Sequence, residues 1–153
     1  MPDGQIQATR EKLLDGVVAG LVATLMMTAL LVAAPALAGG RTAETLRSAA
    51  GLVGHPWVAL CLLAAHFAYG ALAGGLFTVG AQRVTVGRGA FFGFALWGLA
   101  AAVYAPLVGL GFLASHAPAL AVIALPLHLA YGIALGALAP RGEIVQPIEE
   151  SFA

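Results

Sequence analysis

Residues 118–139 read PALAVIALPLHLAYGIALGALA, a run of apolar and small residues without one Asp, Glu, Lys or Arg. About 20 apolar residues at 1.5 Å rise cross a hydrocarbon core roughly 30 Å thick. Three more charge-free runs of this kind fall at 16–37, 57–80 and 89–113. In lipid every backbone polar group needs a partner inside its own segment, so each run reads as a helix. Four strands could not close a barrel. The fold class expected is therefore all-α: a membrane protein with four transmembrane helices in one bundle.

Composition agrees. Of 153 residues, 61% are hydrophobic and 9% charged, with a mean hydropathy of +0.95. A soluble domain carries about 25% charged residues, so this chain lacks the polar surface to dissolve. The formal net charge is zero and no basic block is present, so a nucleic-acid partner is not expected. The single cysteine, Cys61, lies inside an apolar run and offers no disulfide framework within the chain.

The expected organisation is a polar N-terminal segment at 1–15, a membrane domain at 16–140 and a short acidic tail at 141–153. "TREKLLDG" followed by an apolar run and "ALAGG" resembles a signal peptide cleaved after Ala38. Its apolar stretch is longer than the 7–15 residues of a signal core, which favours a retained first helix. The connection at 39–56 contains Leu46, Leu52 and Val53 among polar residues. It reads either as a short helix in the interface or as a plain linker. Arg10, Lys12, Arg83, Arg88 and Arg141 fall on one side of such a topology, against Arg41 and Arg47 on the other. By the positive-inside rule both termini are then cytoplasmic, in a prokaryotic inner membrane. The second and fourth helices run parallel.

The fourth run also contains a repeat. "HLAYGIALGALA" at 128–139 shares six of twelve positions with "HFAYGALAGGLF" at 66–77. Matches of Ala, Gly and Leu are common in this composition; a matched His and Tyr are not. Helices 1 and 3 match more weakly, through Gly16/Gly20 with Gly89/Gly93 and Pro35 with Pro106. The pattern suggests a bundle built from a duplicated helical hairpin.

His66 and His128 each lie about 14–15 Å into their helices, near the bilayer midplane. A charged imidazole is costly there, so both are expected neutral, the state in which histidine ligates metal. Gly70 and Gly74 follow His66 at four-residue steps, and Gly132 and Gly136 follow His128. Each histidine thus tops a stripe without side chains. Such a stripe admits either a neighbouring helix, the usual meaning of Gly-xxx-Gly in membranes, or a flat ligand. In the first case the histidines are interhelical hydrogen-bonding groups, with Thr24, Thr28, a tyrosine hydroxyl or a carbonyl freed by Pro106 or Pro126 as partners. In the second, His66 and His128 are axial ligands of a b-type haem, with Tyr69, Tyr131, Gly70, Gly74, Gly132 and Gly136 around it. That arrangement is similar to the cytochrome b design, whose second and fourth helices carry the ligands. His55 and His116 are out of step with one face and do not make a second pair.

Other chemistries lack their residues. Cys61 and His66 are some 140° apart around a helix, and no Asp, Glu or Lys lies within the apolar runs to mark ion transport. "AGGLFTVG" lacks the lysine of a phosphate loop, and no nucleophile–base set is visible. Trp57 reads as an interfacial anchor and Trp97 as bundle core. The expected role is therefore non-catalytic: an accessory or structural subunit associating through its glycine faces with itself or a larger complex. The haem protein is the alternative, and a small-solute transporter a third reading.

"GLVATLMMTAL" (20–30), "GFALWGLAAAVYAPLVGLGF" (93–112) and "LPLHLAYGIALGAL" (125–138) together resemble an uncharacterised family of small four-span prokaryotic membrane proteins. The likeness spans nearly the whole membrane portion. It implies the four-helix architecture, and no activity or cofactor accompanies it. Helix 3 of this chain is poorer in bulky apolar residues than the family pattern.

Overall fold

The computed structural model describes residues 3–38 and 56–140. The expected interfacial helix within the 39–56 connection, His55 and the tail at 141–153 lie outside them. Among the described residues the protein is all-helical. Four helices are long and apolar enough to cross a membrane: α1 (Asp3–Ala38), α2 (Pro56–Gly80), α3 (Val86–Leu107) and α4 (Pro118–Leu138).

Helix α1 has 36 residues, about 54 Å of rise, nearly twice the hydrocarbon thickness. Its first turns carry Arg10, Glu11, Lys12 and Asp15, all exposed, as a polar extension of the span. A hydrogen bond from the Arg88 backbone N–H to the Thr85 side chain, 3.2 Å long, caps the start of α3.

The helices pair as two antiparallel hairpins, α1 with α2 and α3 with α4, joined by packing of α1 on α4. Each hairpin closes on glycine. A Cβ added to Gly20 would strike the Gly70 carbonyl and the Cα of Gly74; one added to Gly89 would strike the Gly132 carbonyl and the Cα of Gly136. Gly20 and Gly89 therefore occupy matching places in the two hairpins. This differs by one helical turn from the sequence match of Gly16/Gly20 to Gly89/Gly93. At such close approach backbone meets backbone, and dispersion contacts replace the hydrophobic drive that lipid does not supply.

The core is correspondingly small-grained. Ala19, Ala23, Ala73, Ala134 and Leu135 are buried together, and Phe77 of α2 meets Phe92 of α3 with ring centroids 5.1 Å apart. These contacts fill the half of the bundle nearest the 81–85 connection.

The other half is looser. Helix α3 ends at Leu107, short of the expected residue 113. Pro106 has no amide hydrogen and crowds the carbonyl four residues back. Residues Ala100–Tyr104 widen into a π-turn, in which the Ala105 N–H donates to the Ala100 carbonyl. Gly109 and Gly111, at φ +80° and +76°, then turn the chain out of helical geometry. Leu113 and Ala114 also have positive φ, 54° and 53°. By contrast, α4 runs on through Pro126.

Candidate functional site

The loosened half of the bundle forms a half-open cavity of about 830 Å³. Helix α2 contributes Leu62, Ala65, His66, Tyr69 and Gly70; α4 contributes Ala121, Ala124, His128 and Tyr131. Thr24 and Met27 of α1 form the back, and the π-turn of α3 forms the facing wall. The lining is overwhelmingly apolar, and the volume lies within the 300–1,000 Å³ of small-molecule sites.

Both histidines singled out by the repeat line this one cavity. His128 Nδ1 lies 2.8 Å from the Ala124 carbonyl oxygen, one turn back on its own helix. A carbonyl only accepts, so Nδ1 carries the hydrogen and Nε2 keeps its lone pair. That is the usual state of a histidine poised to ligate, its second nitrogen held by a backbone carbonyl. The His66 ring stands edge-on to Phe67. Among the described residues no group of three or more His, Cys, Asp or Glu side chains comes together.

The interhelical bonds expected of the histidines are made by other residues. Tyr131 Oη donates to the Gly70 carbonyl at 2.7 Å, linking α4 to α2. Trp97 Nε1 donates to the Ala121 carbonyl at 3.0 Å, linking α3 to α4. Thr78 Oγ1 donates to the Lys12 carbonyl at 2.9 Å, linking α2 to α1. Thr24 and Thr28, the partners proposed for imidazole, instead donate to carbonyls of α1 itself, those of Gly20 and Thr24. His116 Nδ1 is 3.0 Å from the Gly109 carbonyl and belongs to the loop.

The two tyrosines of the repeat are not equivalent. Tyr131 is buried (3% exposed), whereas Tyr69 is 44% exposed at the cavity wall. The glycines also divide. Gly70 reaches the cavity; Gly74 packs on Gly16 and Gly20, Gly132 on Gly89 and Gly93, and Gly136 on Thr85 and Val86. Those stripes are filled by a neighbouring helix, so the open space lies beside the histidines and not along the glycines below them. The glycine stripes from which association with a partner was expected are thus packed on helices of the chain itself.

Sequence reasoning missed Tyr104 and the cavity role of Trp97, both on the α3 wall. The signal for Tyr104 was Pro106 two residues on, which disturbs the helix at that level. No known protein family, curated protein or solved structure matches the chain.

Proposed function

We propose that this is a non-catalytic, multi-pass protein of a prokaryotic cytoplasmic membrane, both termini cytoplasmic, that holds a b-type haem between His66 and His128. One observation carries the reading: two imidazoles from different helices line a single apolar intramembrane cavity, one of them held by a backbone carbonyl with Nε2 free.

The donor set suits haem better than a bare metal ion. Zinc takes four protein or solvent ligands, and no third ligating side chain joins the pair among the described residues. A porphyrin supplies four nitrogens itself and asks the protein for axial ligands and an apolar slot. His66 and His128 would hold the group, and Met27, Leu96 and the α3 wall would line its apolar slot. When bound, the group supplies one-electron transfer, its potential set by the axial ligands and by burial. A carrier needs a donor and an acceptor, so the reading implies a larger membrane complex or a second copy of the chain as partner.

The matched settings of Gly20 and Gly89 support a duplicated hairpin as the origin of the paired histidines. On that reading, drift since duplication accounts for the one-turn offset in the sequence match.

The test is a visible spectrum of the protein purified in mild detergent after growth with haem supplied, oxidised and then dithionite-reduced, with haem quantitation. A Soret band with sharp reduced α and β bands is expected, lost or strongly altered in His66→Ala and in His128→Ala. A colourless protein overturns the haem assignment and returns the chain to an accessory subunit, one whose partner contacts lie off the glycine faces.

A further inference from the structure

The histidines stand on helices that barely meet. Helix α1 packs along α2 and also against α4, so α2 and α4 are neighbours through α1 more than through each other. Across that gap runs one hydrogen bond, from Tyr131 Oη to the Gly70 carbonyl. Tyr131 lies three residues past His128 and Gly70 four past His66, which puts the bond one turn below both imidazoles. A carbonyl has two lone pairs, so Gly70 can serve its own helix and still accept from Tyr131. Gly70 is open to that approach because it has no side chain, and Thr24 closes on it from α1.

We infer that the two tyrosines of the repeated motif have divided roles: Tyr131 is a positioning residue that ties α4 to α2 and sets the spacing of His66 and His128, while Tyr69 is left to the ligand. Three observations favour the division. Tyr131 is buried and donates across the gap; its counterpart is nearly half exposed on the cavity wall. The hydroxyl of Tyr69 donates to no carbonyl equivalent to that of Gly70 among the described residues. A ligand in the cavity would find in Tyr69 a hydroxyl one turn from His66. The spacing role of Tyr131 stands on the hydrogen bond; the ligand role of Tyr69 rests on the haem reading above.

The experiment uses the full chain in detergent, spin-labelled at Cys61 and, through Val122→Cys, at position 122, both exposed, with distances read by pulsed dipolar spectroscopy. Tyr131→Phe is expected to lengthen or broaden the α2–α4 distance distribution, while Tyr69→Phe leaves it unchanged. Circular dichroism on each variant checks that helicity is kept. Haem titration of the same proteins is expected to show weaker binding, by tenfold or more, and a mixed-spin spectrum for Tyr131→Phe. Tyr69→Phe should shift the bands or weaken binding with the spacing intact. A distance distribution indifferent to Tyr131→Phe, or equally disturbed by both variants, overturns the division. A wild-type chain that binds no haem, yet still shows the Tyr131-specific distance change, overturns the haem reading and the Tyr69 role while the tether stands.

Discussion

A methyl group on Gly89 would land on the carbonyl oxygen of Gly132, which is backbone and cannot rotate aside. One on Gly98 would meet nothing within 4 Å, although both glycines lie in α3. The same substitution should therefore act in opposite directions at the two sites. Gly89→Ala forces α3 away from α4 and is expected to cost about 1–3 kcal/mol, as overpacking does. Gly98→Ala removes backbone freedom from the unfolded chain and should gain up to about 1 kcal/mol. Thermal unfolding in detergent checks both; a Gly89→Ala protein as stable as the parent would mean that the hairpin does not close on this glycine. At this scale the sequence was a partial guide. The Gly-xxx-Gly spacing was legible, but nothing in it told a glycine packed on backbone from one beside a cavity.

Among the elements, α3 departs furthest from a regular span. A charge-free run from 89 to 113 reads as one helix because hydropathy is blind to hydrogen-bond geometry. Pro106 was visible, yet its consequence depended on whether the surroundings could absorb it. Pro126 sits within α4 without interrupting it, whereas Pro106 follows a π-turn and is followed by a strained loop. Such π-turns occur often at functional sites, and this one walls the cavity. Replacing the proline should reveal the trade. Pro106→Ala restores an amide donor and lets Ala100–Tyr104 rewind, raising the thermal midpoint by the equivalent of up to about 3 kcal/mol. Rewinding would also turn Val103 and Tyr104 against the cavity and is expected to weaken the proposed haem binding. Should the midpoint stay put, something other than the proline sets the turn.

At the scale of the whole molecule, an even number of spans puts both ends of the chain on one side of the bilayer whichever way it inserts. Reporter fusions at Met1 and at Ala153 should therefore report the same compartment, and the positive-inside rule predicts that it is the cytoplasm. Opposite compartments for the two fusions would remove one of the four crossings. The helical class and the four helices long and apolar enough to cross a membrane followed from the sequence alone, because apolar length and absence of charge are properties of a single segment in lipid. The pairing of the histidines at one cavity was also legible, because a doubled His and Tyr stand out from an Ala, Gly and Leu background. Only the tertiary structure decided what those residues do together. It buried the glycine stripes inside the hairpins, gave the interhelical bonds to Tyr131, Trp97 and Thr78, and left both imidazoles facing one cavity. The reason is physical: segment chemistry fixes which stretches enter the membrane, whereas the use of each face depends on which backbone approaches it, and that is a property of pairs of helices.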